Sequence, residues 1–267
     1  MTTLQLYNAD CLEQMKSIPD KSIDLIICDL PYGCLIRGDD KFRQDRKKQN
    51  PNGSLGGCAW DIKIDLDLFW KQIKRIRKND HTPCIHFCST RFGIDLINSN
   101  EKEFRYDLVW CKSTAVGFLS ANKKPMAAHE MIYVFSKKGS NYNRIDVKGD
   151  FPALSGGSGT DLTHFKAKRT GKTLAGSRCV KSLVEISNSN HKSNHPTAKP
   201  VDLYKWLIER YSNEGDTVLD PTFGSCNSGQ VCKDLKRNYI GIEMNKEFFD
   251  KAMITVGGLT GVTPVIL

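Results

Sequence analysis

Three short stretches of this 267-residue sequence hold residue types at spacings that suit chemistry. Asp29-Leu30-Pro31-Tyr32 brings a carboxylate, a stiff turn and an aromatic ring within four positions. A carboxylate and a backbone carbonyl there can hold an amino group, and the ring can stack on a planar base. Asp220-Pro-Thr-Phe-Gly-Ser-Cys-Asn-Ser-Gly229 reads as a glycine-containing turn between a strand and a helix. Such a turn admits a ligand close to the backbone, and the helix N-terminus favours a negative group. Glu243 ends the next apolar run, where a carboxylate can accept from both hydroxyls of a ribose. His195-Pro-Thr-Ala-Lys-Pro200 is the third stretch. Taken singly, each also fits a plain structural part: a strand-end turn, a tight strand–helix turn with a solvated Glu, and a proline-stiffened loop.

The elements that must position these residues follow from hydrophobic periodicity. Ser22–Asp29 is short, rich in Ile and stopped by Pro31, so it reads as a buried strand. Leu66, Phe69, Trp70, Ile73 and Ile76 fall on one helical face. Thr82–Cys88, Tyr106–Cys111 and Glu130–Phe135 read as further strands. Towards the C-terminus the order is helix Pro200–Tyr211, strand Asp216–Asp220, helix Asn227–Leu235, strand Tyr239–Glu243 and helix Lys246–Met253. Strand–helix alternation of this kind predicts an α/β fold, doubly wound around a mainly parallel, Rossmann-like sheet.

Composition narrows the class. With 39% hydrophobic and 26% charged residues the chain is ordinary globular protein, not a disordered, collagen-like or coiled-coil one. No apolar run reaches the roughly 18 residues of a membrane span. Met1–Asp10 lacks a basic stretch followed by an apolar core, and the 10 Cys have no tight disulfide spacing, so a cytoplasmic protein with reduced thiols is expected. Cys84-x3-Cys88 around His86, and His191-x3-His195, have spacings that can bind zinc. Cysteines alternating along a strand are ordinary core residues, however, and no metal is expected.

The net charge of +9 is concentrated in two places. Residues 33–50 carry six Lys/Arg against three acids, and residues 137–194 carry eleven against four, which leaves the remainder close to neutral. A neutral scaffold with two basic inserts suits a polyanionic partner. The polar stretch 33–57 reads as a loop. The Gly/Ser/Lys-rich stretch is too long for a plain connection and reads as a functional insertion. The expected organisation is therefore a catalytic half over residues 1–136, a target-recognition insertion over 137–194, a cofactor-binding half over 195–256, and a tail over 257–267.

In order and spacing, the three stretches together resemble the amino-methylating DNA methyltransferases that use S-adenosylmethionine. Those enzymes carry an Asp/Asn/Ser-Pro-Pro-Tyr-type motif and a glycine-containing cofactor loop. Here the catalytic motif comes first, as in the permuted β-class. Asn8-Ala-Asp10-Cys11, Trp110-Cys-Lys112 and His129-Glu130 ahead of Met131–Phe135 match as well. The resemblance covers residues 4–253 apart from the two basic inserts. It implies that Asp29 and the Leu30 carbonyl accept hydrogen bonds from the target amino group, that Pro31 shapes the turn, and that Tyr32 stacks on an extruded base. It places Asp10, with Cys11 beside it, near the adenine of the cofactor. Asp220, Phe223, Gly224, Ser225, Cys226 and Gly229 would form the cofactor loop, Glu243 would hold the ribose, Thr197 and Lys199 would meet the methionine end, and Asp29 counts among the cofactor contacts as well. The implied substrate is double-stranded DNA, with adenine N6 favoured over cytosine N4 by Asp at position 29, and an RNA amino-methylase further behind. A homodimer is compatible with the class. The expected DNA contacts are Arg37, Arg43, Arg46 and Lys47 of the first insert, Lys112, and Arg144, Lys166, Lys168, Arg169 and Arg178 of the second.

Two positions depart from the pattern. Leu30 replaces the first Pro, which keeps the carbonyl but loosens the turn. Cys226 stands where the family often has Gly, and the turn is expected to be accommodated without a positive φ, which would strain Cys. A nicotinamide dehydrogenase would account for the glycine turn and Glu243 but not for Asp29–Tyr32. A non-catalytic DNA-binding module would account for the charge alone.

Overall fold

A computed structural model describes residues 2–32, 63–148, 177–188 and 198–257. The elements in chain order begin β1 (Leu4–Tyr7), α1 (Cys11–Gln14), β2 (Leu25–Cys28), α2 (Leu66–Ile76), β3 (Cys84–Cys88), α3 (Thr90–Ser99), β4 (Phe104–Val116) and β5 (Ala127–Phe135). They continue β6 (Val147–Lys148), β7 (Ser177–Arg178), β8 (Leu183–Glu185), α4 (Val201–Tyr211), β9 (Thr217–Asp220), α5 (Asn227–Asp234), β10 (Asn238–Ile242) and α6 (Lys246–Gly257). Eight strands form one sheet in the order β1-β10-β9-β2-β3-β5-β4-β8, and β6 and β7 form a separate pair. From β1 to β3 every pairing is parallel, while β5 runs antiparallel to both β3 and β4.

Parallel strands covered on both faces need apolar residues at consecutive positions. β2 shows the pattern: Leu25 and Ile27 join a core under α4, α5 and α6, and Ile26 and Cys28 join one under α2 and α3. In α2 the expected stripe is buried at Phe69, Trp70, Ile73 and Ile76, and Asp65 caps the helix by accepting from the Leu68 N–H at 3.0 Å.

Three differences from the sequence reading bear on the site. Residues 90–99, left unassigned above, form α3, started by Ser89 as N-cap. β4 and β5 run beyond their apolar cores into a long hairpin, because cross-strand pairing continues through polar residues from Cys111↔His129 to Val116↔Ala127. The insertion expected over 137–194 is described only at its ends, and both ends are tied to the sheet domain. β8 adds to β4 in parallel and buries Val184, while Asn143 binds the Glu209 and Ser212 carbonyls at the end of α4. Among the described residues, no helix is long and apolar enough to cross a membrane.

Candidate active site

The chain order reverses between β9 and β2, and ligands of open α/β sheets bind at such a switch point beyond the strand carboxyl ends. β2 delivers Asp29, β9 delivers the Asp220–Gly224 turn, and β10 delivers Glu243. Because β5 runs the opposite way, its first residues lie at this same end: Cys88 pairs with Met131 and Trp110 with Glu130. A cavity of about 610 Å³ opens there. Its lining joins Asp29, Leu30, Pro31 and Tyr32 at one end to Phe223, Gly224, Ser225 and Glu243 at the other. The Thr222 hydroxyl donates to the Asp29 carbonyl at 3.1 Å and fastens the two ends together.

At the Asp29 end the arrangement is a chain of alternating charges. Tyr32 Oη donates to Asp29 Oδ1 at 2.8 Å, and Lys199 Nζ donates to Asp29 Oδ2 at 2.7 Å. Lys199 also meets Glu130 Oε1 at 3.1 Å, and Lys112 meets Glu130 Oε2 at 2.9 Å. Burial would drive the Lys199 ammonium towards neutrality, but Asp29 and Glu130 outweigh it and raise its pKa. Burial likewise opposes the Glu130 carboxylate, and the charges of Lys199 and Lys112 bring its pKa below the usual value. The Tyr32 phenol is pushed well up by burial and by both carboxylates, so it serves as a hydrogen-bond donor. Its ring stacks on Phe92 of α3, with centroids 5.1 Å apart at 26°.

At the other end the backbone does the positioning. Glu243 Oε2 accepts from the Gly224 N–H at 3.0 Å and Oε1 from the Asn245 N–H at 2.7 Å, while burial raises its pKa. Gly224 has φ 53°. Cys226 corrects the expectation stated for it: it is left-handed, with φ 59°, and buried at the start of α5. The turn thus holds a side chain in a conformation that glycine adopts without cost. A Cβ on Gly229 would come within 2.7 Å of the Cys226 sulfur and 2.9 Å of the Tyr239 ring, so this glycine serves close packing.

Several of the residues expected at the ligands also have partners within the protein. Asp220 is buried, accepts from Ser228 Oγ at 2.6 Å and the Thr222 N–H at 3.1 Å, and has its pKa pushed up to about 7, chiefly by burial. Asp10 caps α1, accepting from the Leu12 and Glu13 N–H groups at 2.8 and 3.1 Å. Asp10, Cys11, Asp220, Cys226 and Gly229 are not among the residues that line the cavity; they build the turns around it. The Lys199 ammonium, expected at the cofactor's methionine end, is bound to Asp29 and Glu130. Lys112, expected on DNA, lies in the cavity wall against Glu130, with its ammonium 4.8 Å from the Trp110 ring. Arg144 is paired with Asp146 at 2.7 Å, and Arg178 is exposed on β7. Thr197, Arg37, Arg43, Arg46, Lys47, Lys166, Lys168 and Arg169 lie outside the described residues.

Sequence reasoning gave no role to Glu130, and none to Phe92. The signal for Glu130 was present: an acidic residue opening a strand that is otherwise apolar. Among the described residues, Cys28, Cys84 and His86 form one buried cluster whose ligand atoms lie within 4.8 Å of one another.

A sequence model described as DNA methylase, covering N6 and N4 methyltransferases, matches residues 23–254. The chain belongs to this family. The methylase is 51% identical over 261 residues to the type II methyltransferase M.HpaI of Haemophilus parainfluenzae, covering 93% of this chain and 72% of that protein. It is 28% identical over 256 residues to M.HinfI of Haemophilus influenzae, covering 92% of this chain and 66% of the relative. The methylase thus spans about two thirds to three quarters of the length of these relatives. Among solved structures, the cytosine-N4-specific PvuII DNA methyltransferase superposes with a TM-score of 0.65 at 18% identity, over 97% of this chain and 88% of that one. The M1.HpyAVI–SAM complex superposes with a TM-score of 0.59 at 21% identity, over 96% of this chain and 100% of that one.

Proposed function

We propose that the methylase transfers a methyl group from S-adenosylmethionine to the N6 amino group of adenine in double-stranded DNA, acting on a base turned out of the helix. The observation that carries this reading is the single cavity joining Asp29–Tyr32 to Gly224–Glu243. The cofactor end suits a nucleoside: Glu243 is a half-buried acceptor for hydroxyls, Gly224 lets the backbone come close, and Phe223 and Phe248 supply apolar wall. When bound, the cofactor supplies an electrophilic methyl group.

The chain's own residues have two tasks. An exocyclic amine conjugated to a purine is a poor nucleophile, because its lone pair is spread into the ring. Asp29 and the Leu30 carbonyl, accepting from its two N–H bonds, favour a pyramidal nitrogen with a localised lone pair. The Asp29 carboxylate also stabilises the positive charge that develops on that nitrogen. The second task is to hold Asp29 in place, which Tyr32 and Lys199 do through one oxygen each. Lys199 stays protonated between two carboxylates, so the proton released by the methylated amine goes to Asp29 or to water. The Tyr32 face opposite Phe92 offers the flipped base a stacking surface worth about 1–3 kcal/mol. Turning the base out costs a few kcal/mol, and phosphate contacts from the basic segments offset the remainder.

Cytosine N4 is the second reading, favoured by the superposition on a cytosine-N4-specific enzyme. Incubating DNA with methyl-labelled cofactor and digesting it to nucleosides decides between them. Label in N6-methyl-2'-deoxyadenosine supports the proposal, label in N4-methyl-2'-deoxycytidine replaces it with the second reading, and absence of label overturns both. Sequencing with modified-base detection of DNA from expressing cells then gives the site.

A further inference from the structure

The tip of the β4–β5 hairpin carries apolar side chains that folding alone does not explain. Phe118 is 77% exposed and its neighbour Leu119 is 100% exposed. Two large apolar residues side by side in solvent mark a surface with a partner. The turn that presents them is well bonded. Gly117 takes the left-handed conformation at φ 97°, and the N–H groups of Ser120, Ala121 and Lys123 donate at 2.9 Å to the carbonyls of Gly117, Phe118 and Ser120. Asn188 clamps one arm of the hairpin, accepting from the Thr114 N–H at 2.9 Å and donating to the Thr114 carbonyl at 3.0 Å.

Position and charge identify the partner. Val116, two residues before Phe118, is itself part of the cavity lining. An extended chain covers at most about 3.6 Å per residue, so the Phe118 backbone lies within about 7 Å of the lining and that of Leu119 within about 11 Å. Lys123 and Lys124, both exposed, follow in the same turn. A basic tip on a chain of net charge +9 repels a second copy of itself and attracts a polyanion.

We propose that Phe118 and Leu119 form a wedge that enters the DNA stack at the place the target nucleotide leaves, with Lys123 and Lys124 on the flanking phosphates. The inference rests on the base turning out, as proposed above, and holds for adenine or cytosine alike. A nucleotide that leaves the stack exposes the faces of its neighbours. Apolar side chains inserted there replace the lost stacking and slow the return of the base.

The test uses the double variant Phe118→Ser/Leu119→Ser in the full chain. The substrates are two oligonucleotide duplexes carrying the site found by modified-base sequencing, one with the target correctly paired and one with it opposite a mismatched base. On the paired duplex the variant is expected to methylate about 10- to 100-fold more slowly than the wild type, the worth of one stacking contact. On the mismatched duplex, whose target is already loosened, the gap is expected to close to within about threefold. Calorimetry with S-adenosylmethionine checks that the variant still folds and binds cofactor. Equal losses on both duplexes, or no loss on either, overturn the wedge. Equal losses with a dimer-to-monomer change in sedimentation assign the tip to a second copy of the chain instead. If the wild type methylates no DNA at all, it is the proposed function that fails, and that result is visible before any variant is compared.

Discussion

The two ends of the cavity are built on different principles. At the Asp29 end, four charged side chains from four places in the sequence hold one another in a row: Lys112, Glu130, Lys199 and Asp29. At the Glu243 end, a carboxylate is held by two backbone N–H groups, and the glycine turn takes its shape from its own dihedrals. The first end depends on charge balance and has neighbours that a single substitution leaves unpaired. The second depends on backbone geometry and tolerates a neutral side chain better. In the proposed reaction the target amine meets the end where electrostatics are concentrated, and the cofactor meets the end where shape is fixed.

The largest effect comes from breaking the charged row at its centre. Lys199→Met leaves Asp29 and Glu130 as two partly buried carboxylates facing each other, and breaking a fully buried pair costs about 3–5 kcal/mol, which sets the upper bound here. Urea unfolding should show that loss, and adding Glu130→Gln should recover part of it by removing the like-charge repulsion. Recovery by the second substitution is what separates a charge effect from lost packing. Asp29→Ala comes next, this time in the reaction: about 100- to 1000-fold slower methyl transfer, the worth of one preorganised electrostatic contact, with cofactor affinity unchanged by calorimetry. If Asp29→Ala transfers label as fast as the wild type, the role given to this carboxylate is wrong.

How much of this was readable in the residues depends on how local each signal is. β2, α2, β9 and β10 were legible because their apolar periodicity reports the core directly, and Asp29, Gly224 and Glu243 stand at the ends of those runs. The charged row was not legible. Glu130 meets Lys199 only because β5 is antiparallel to β3 and brings its first residues to the strand carboxyl ends, and the sequence carries no local mark of strand direction. Lys112 shows the same limit: nothing local marks it as the partner of Glu130, which the register Trp110↔Glu130 brings beside it. Asp220 and Cys226 show another limit. Their motif was recognised, but whether a motif residue faces the ligand or supports the turn depends on side-chain direction.

The glycine-turn end makes a prediction of its own through Asp220. Its folded pKa is raised from the usual 3.8 to about 7, mainly by burial. Below about pH 4 the folded and unfolded chains are both protonated there and the group costs nothing. Between about pH 4 and 7 the unfolded chain gives up the proton and the folded chain keeps it, so stability falls as pH rises, at about 1.4 kcal/mol per pH unit. Above pH 7 both are ionised and the penalty is constant. The wild type should therefore lose on the order of 3 kcal/mol between pH 5 and 8 from this group, and Asp220→Asn should remove that slope. Unfolding midpoints across the pH series measure it; parallel curves for the two proteins would show that Asp220 ionises freely in the fold.

The smallest effect separates the two ends most sharply. Glu243→Gln keeps an oxygen for either the Gly224 or the Asn245 N–H but places an NH2 against the other, and it removes the charge that a ribose diol would meet. One lost charge-assisted hydrogen bond corresponds to about tenfold weaker S-adenosylmethionine binding by calorimetry. Because this end is held by backbone, the maximal rate at saturating cofactor should stay within about threefold of the wild type, a change in binding without one in chemistry. Asp29→Ala should give the opposite split. A Glu243→Gln variant that lost rate at saturating cofactor as strongly as Asp29→Ala would mean that the two ends act as one unit, and the division between a charge-built half and a backbone-built half would have to be given up.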